Sequence, residues 1–136
     1  MDNPQHPLKS VFNVGLLLHN LNKEAERKTG LSIVQWSILK YLIEMPATSA
    51  QELSEAVRLH PSTLTQSLKR LSRKDLIIVT EDPRDLRKKI ISLTRNGKKI
   101  LDYSDQQMEQ IAKPLTEIRN ELFIVENFLI SLKSSK

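Results

Sequence analysis

The apolar residues of this 136-residue chain change their period twice. From Leu8 to Leu71 they recur every three or four positions. Between Leu76 and Leu93 they gather into two β-rich runs, Leu76 to Thr80 and Lys89 to Leu93, around a polar stretch. From Arg95 to Leu132 the helical spacing returns. A stripe of helical period cannot lie on one face of a strand, so the chain is read as mainly α with one small β-hairpin. Its length suits a single domain, residues 1–136.

The first helical stretch, Leu8 to Lys28, carries one stripe of Leu8, Val11, Phe12, Gly15, Leu18 and Leu21, with Val14, Leu17 and Ala25 beside it. A helix apolar over so much of its circumference needs two neighbours, inside the domain or on a second subunit. Gly30 ends it as a left-handed cap. Ser32 to Met45 reads as a second helix, with Ile33, Trp36, Leu39, Leu42 and Ile43 inward. After a break at Pro46 to Thr48, Ser49 and Glu52 have the spacing of a capping box. They open a third helix to Arg58, with Leu53, Ala56 and Val57 inward. Pro61 suits a first helical position and begins a fourth, Pro61 to Lys74, whose only apolar stripe is Leu64, Leu68 and Leu71. In the hairpin, Glu81 to Lys88 reads as a long charged tip. Thr94 caps a fifth helix to about Lys113, and Pro114 starts a sixth towards Leu132.

Charge is unevenly spread over these elements. Arg58 to Lys99 holds twelve Lys or Arg against four Asp or Glu, a local net of +8; the remainder holds nine against twelve, a net of −3, within a total of +5. Segregation of this size is the footprint of a polyanion partner. Three helices followed by a hairpin is the order of a winged helix-turn-helix, in which Pro61 to Lys74 would enter a major groove of double-stranded DNA. With the leucine stripe inward, a turn of about 100° per residue puts Ser62, Gln66, Lys69 and Arg73 opposite it and Arg70 at the edge. All are donors able to address base edges or phosphates.

Other classes drop out. Gly15, Gly30 and Gly97 are the only glycines, and none is within five residues of another, which excludes a P-loop or a dinucleotide fingerprint. Without cysteine there is no disulfide, thiolate zinc site or thiol switch, in keeping with the cytoplasm. His6, His19 and His60 lack metal-ligand spacing, and no nucleophile elbow is present. The expectation is a chain that is not an enzyme, with no cofactor and no metal. No apolar run is long enough for a membrane span, and Met1 to Ser10 lacks the basic start and apolar core of a secretory leader.

The stretch LHPSTLTQSLKRLSRKDLIIVTEDPRDLRKKIISLTRNGKKIL, Leu59 to Leu101, resembles the recognition helix, wing and following helix of the MarR-type transcriptional regulators. The wing DPRDLRKK and the SLTRNGKKIL after it carry the resemblance most specifically. It implies a wing-tip arginine, Arg87, that enters a minor groove, with Asp85 orienting the wing by pairing with nearby basic groups. Arg84 and Lys88 would meet flanking phosphates, and Ser62, Thr63, Thr65 and Gln66 would make base and backbone contacts. Gln66 stands where an arginine is common in the family, and Ser67 where an apolar residue is usual. The resemblance also implies repression in response to a small effector held between the dimerisation helices and the DNA-binding lobe. Phe12, Leu16, Trp36, Leu39 and Tyr41 could line such a pocket, although core packing is the simpler account of them.

Ile111, Leu115, Ile118, Leu122, Val125, Leu129 and Leu132 alternate by four and three, as in a coiled-coil seam, with Phe123, Ile124, Phe128 and Ile130 beside it. Together with Leu8 and Phe12 this is more apolar surface than one small domain covers. It implies a homodimer built on helices 8–29 and 95–133 around a winged-helix lobe at 33–94. Gly15 would allow a close helix crossing there. A two-fold dimer would present its fourth helices roughly 34 Å apart and select a pseudo-palindromic operator. The competing reading is a winged-helix protein-interaction module or antirepressor without specific DNA binding. Such a chain would show an eroded wing and a neutral fourth helix.

Overall fold

Local capping chemistry sets most of the element boundaries. In the computed structural model, which describes residues 6–134, α1 spans Pro7–Thr29 behind the N-cap His6 and closes on Gly30 at φ 81°. The two ends of the expected 1–136 unit lie outside the described residues. Helix α2, Ile33–Glu44, opens on a capping box between Ser32 and Gln35; α3, Ala50–Val57, opens on the expected one between Ser49 and Glu52. Helix α4, Pro61–Arg73, begins with Pro61 behind His60, whose imidazole Nδ1 accepts from Ser62 N–H at 3.2 Å. Lys74 is its C-cap, not its last turn.

The hairpin is part of a three-stranded antiparallel sheet in the order β1, β3, β2, made of Thr48–Ser49, Asp85–Leu93 and Ile77–Asp82. Thr48 and Ser49, expected as a break and a cap, pair with Ile91 and Ile90 on the central strand. The long charged tip, expected over Glu81 to Lys88, gains one further strand pair. In-register pairing ends at Glu81↔Lys89; beyond a register shift Asp82 pairs with Asp85, which leaves Pro83 and Arg84 as the turn and residues 86–88 without partners in the register. Backbone pairing does not depend on an apolar face, so Asp82 and Asp85 can pair in a wing exposed on both sides. No positive φ occurs at the tip among the described residues, so this is not a primed turn; the register irregularity between Glu81 and Asp82 absorbs the mismatch in twist.

Helix α5, Arg95–Ala112, follows its N-cap Thr94. The next helix does not begin at Pro114. Lys113–Ile118 form a 3-10 turn, and α6 runs over Arg119–Ser134. The seam from Ile111 to Leu132 is therefore not one continuous α-helical stripe, because 3-10 geometry advances by three residues per turn and shifts the faces on either side.

The core gathers Ala25, Leu31, Ile38, Leu39, Leu42, Leu53, Leu64, Leu71, Leu76, Ile77, Ile91, Leu101 and Met108. It lies between α5, the end of α1, α2 to α4 and the sheet. Among the described residues, helix α6 contributes none to it. Two inward expectations are corrected: Ile43 and Ala56 are exposed, with Ile38 turned inward on α2 instead. Gly97 sits where α5 meets the start of β2. A Cβ there would run into the Leu76 carbonyl oxygen and come within 2.6 Å of Leu93 Cδ1. Gly97→Ala is expected to cost about 1–3 kcal/mol by overpacking, read as a lower thermal midpoint.

Candidate nucleic-acid interface

Helix α4 is amphipathic in the simplest way. Leu64 and Leu71 are buried and Leu68 is half-buried. Ser62, Thr63, Thr65, Gln66, Lys69, Arg70 and Arg73 are all exposed. The structure divides this set by what each side chain already holds. Thr65 donates its hydroxyl to Pro61 O at 2.8 Å, and the Ser62 hydroxyl lies 2.9 Å from His60 Nδ1. Both are spent on the first turn, leaving lone pairs outward. Thr63, Gln66, Lys69, Arg70 and Arg73 have no side-chain hydrogen bond or ion pair among the described residues.

The wing is organised by two aspartates. Asp82 Oδ1 accepts from Arg84 N–H at 2.9 Å, which closes the turn on its own side chain. Asp85 Oδ1 accepts from both the backbone N–H and the Nε of Arg87, each at 3.1 Å, while Arg87 Nη2 lies 3.4 Å from Oδ2. This is the pairing that the resemblance implies for Asp85. The Arg84 and Arg87 side chains nevertheless remain 95% and 91% exposed, so their charges stand in solvent at the tip. Lys89 pairs across the strands with Glu81 at 3.6 Å, whereas Lys88 has no ion pair among the described residues.

The Arg87 guanidinium, and after it the Arg87 backbone N–H, hold the Asp85 carboxyl below its usual range. A lowered carboxylate keeps its pairing above the ordinary value and loses it as pH falls through the lowered one. The Arg87 amide resonance is accordingly expected to titrate at a pH below that of a free aspartate. A titration at the ordinary value would contradict the wing geometry.

Not all of the basic cluster faces outward unpaired. Arg58, in a left-handed conformation at φ 56° after α3, reaches Glu126 on α6 at 3.0 Å. Lys74 Nζ donates to Gly30 O at 2.9 Å. Sequence reading counted both in the footprint and missed these engagements, because their partners lie far away in the chain.

The expected dimer residues are placed as follows. Ile111 and Leu115 are half-buried; Leu8, Phe12, Ile118, Leu122, Val125, Leu129 and Leu132 are exposed, between 44% and 73%. Val11, Leu17, Phe123, Ile124 and Phe128 join them, and a Cβ at Gly15 would meet nothing within 4 Å. Of the pocket candidates, Leu39 is core, and Phe12 and Leu16 are exposed. Trp36 donates its indole N–H to Asp105 on α5 at 3.0 Å. Tyr41 alone of the five borders an open groove of about 530 Å³ between α2, α3 and α6, with Ser37, Val57, Arg58 and Leu129. Among the described residues, no cluster of three metal-ligating side chains occurs and no helix is long and apolar enough to cross a membrane.

Comparison with known proteins bears on this arrangement. The MarR family model matches residues 31–89, from the start of α2 to the wing. An uncharacterised HTH-type transcriptional regulator of Bacillus subtilis, YxaD, is 30% identical over 105 residues, covering 74% of this chain and 73% of that protein. The homoprotocatechuate degradative operon repressor of Escherichia coli is 33% identical over 102 residues; the match covers 74% of this chain but only 62% of the repressor. The MarR-family regulator Sco3205 of Streptomyces coelicolor, solved in complex with DNA, superposes with a TM-score of 0.79 at 20% identity, over 98% of this chain and 92% of that one. The exposed donor face of α4, the aspartate-braced wing and these relationships agree: the chain belongs to the MarR family of winged helix-turn-helix transcriptional regulators.

Proposed function

We propose that the protein is a cytoplasmic, homodimeric repressor, without catalytic activity, that binds a pseudo-palindromic operator. Residues 33–94 form the DNA-binding lobe; 8–29 and 95–133 dimerise. Helix α4 lies in the major groove, where Thr63, Gln66 and Lys69 address base edges. Ser62, Thr65, Arg70 and Arg73 hold the backbone. The wing, residues 81–88, lies at the minor groove with Arg87 inserted, Asp85 bracing it, and Arg84 and Lys88 on phosphates. The observation that carries this reading is the row of exposed donors on α4, Thr63, Gln66, Lys69, Arg70 and Arg73, that have no intramolecular partner among the described residues, beside two arginines held out at the wing tip. Such a set is complementary to a groove and its phosphates. The DNA-bound Streptomyces coelicolor neighbour and the Escherichia coli operon repressor support it.

The open groove between α2, α3 and α6 has a volume suited to a small effector, and it touches both the lobe and the expected dimerisation helix. A ligand there would change how the two parts sit together. Selection of bound duplexes from a random pool tests the whole reading, with an inverted repeat as the expected product; recovery of unrelated sequences would sink it. On the selected site, Gln66→Ala is expected to lose roughly 1–3 kcal/mol of discrimination at one base pair per half-site. Equal losses on specific and random DNA would reduce Gln66 to a backbone contact.

A further inference from the structure

The recognition helix ends in an unusual way. Asp75 N–H donates to Ser72 O at 3.0 Å and Leu76 N–H to Leu71 O at 3.0 Å, the bond pattern of a Schellman cap. The left-handed residue in that cap is ordinarily glycine; here it is Asp75, at φ 62°. Its N–H, its carbonyl and one carboxylate oxygen are all engaged. Thr94, the N-cap of α5, donates its hydroxyl to Asp75 O at 2.7 Å, and Asn96 Nδ2 donates to Asp75 Oδ2 at 2.9 Å. The preceding residue points to another helix. Lys74 Nζ donates to Gly30 O, the carbonyl at the C-terminal end of α1, at 2.9 Å, with Gln35 Oε1 of α2 at 3.5 Å. A cation there also favours the negative end of the α1 dipole. Two consecutive residues thus tie one end of α4 to the end of α1 and to the start of α5. Those two helices pack on each other, and α1 carries the large exposed apolar face.

We infer that Lys74 and Asp75 are positioning residues that fix the recognition helix to the dimer scaffold and thereby set the half-site spacing the protein accepts; this rests on the reading of a dimeric operator-binding protein. Lys74 is then not a phosphate contact, despite its place at the basic end of α4. Glycine would fit this left-handed position more easily than Asp75 does, but it has no carboxylate for Asn96.

The test uses the full-length protein and a duplex selected by it, together with the same duplex re-spaced by one base pair between half-sites. The wild type is expected to prefer the original spacing. Lys74→Met and Asp75→Gly should each reduce that preference ten-fold or more, with the salt dependence of binding unchanged, and Lys74→Arg should restore it. Glycine suits the left-handed position, so Asp75→Gly is expected to keep its fold; Lys74→Met, altered at an exposed side chain, carries the test if it does not. Wild-type spacing preference in both variants would overturn the inference. So would a salt slope lowered by about 1 in Lys74→Met, which would make Lys74 a phosphate contact. A wild type indifferent to spacing would instead show that the dimeric-operator reading beneath it had failed.

Discussion

Leu122→Asp on α6 is expected to give a folded monomer that no longer holds its operator. The residue is 45% exposed and takes no part in the core, so a carboxylate there leaves the protomer's own packing intact. In a two-fold interface the substitution occurs twice. Each copy forfeits the burial of the exposed part of a leucine, about 1 kcal/mol, and forces a carboxylate against apolar neighbours at several kcal/mol more. The sum exceeds about 4 kcal/mol, or roughly a thousand-fold in the dimer constant. Losing the second half-site then removes the avidity of a linked pair, a further factor on the order of 10²–10⁴ in operator binding. Sedimentation gives the mass, and circular dichroism the retained helix. A variant that sediments as the wild type does would place the interface elsewhere, and Leu129→Asp, at 57% exposure, repeats the test about two turns later on the same face.

That such a face exists was legible in the sequence, because apolar excess on α1 and α6 is a local count. Its continuity was not. Pro114 lacks an N–H and reads as a helix start, yet the backbone takes a 3-10 turn from Lys113 to Ile118, and an apolar spacing of four and three does not reveal a change of pitch. Caps were readable for the same local reason: Thr94 accepts from Gly97 N–H and Ser49 from Glu52 N–H, both within three residues. Ser32 and Gln35, which the reading of the second helix did not single out, form the same box.

Non-local partners left no such trace. The strand Thr48–Ser49 is too short to show a period, and Ile90 and Ile91 across the sheet create it. The exposed face of α4 could be deduced from three leucines, but not that Lys74 is committed to Gly30, 44 residues earlier. The sole hint was an aspartate at the position after Lys74 where a glycine usually closes a helix. The basic segment from Arg58 to Lys99 is therefore a mixed population. Arg58 and Lys74 bind other parts of the fold and Lys89 pairs across the wing with Glu81, so these three are held by the protein itself.

Arg87→Ala is expected to weaken binding to every duplex about ten- to a hundred-fold per wing, the range of about 1.5–3 kcal/mol for a hydrogen bond to a charged group. A narrow minor groove concentrates negative potential, so an arginine on a braced hairpin gains there without reading much sequence. The logarithmic salt slope should fall by about 1 for each protomer. Asp85 complicates the single variant: with the guanidinium gone, the carboxylate keeps only the backbone N–H of residue 87, and its uncompensated charge adds repulsion. Asp85→Asn in the Arg87→Ala background removes that repulsion and should recover part of the affinity but none of the slope. Arg87→Lys retains the charge and loses the planar fork that spans Oδ1 and Oδ2, so it should keep the slope while still binding less tightly. An unchanged slope in Arg87→Ala would remove Arg87 from the groove and leave the wing as a structural brace for β3.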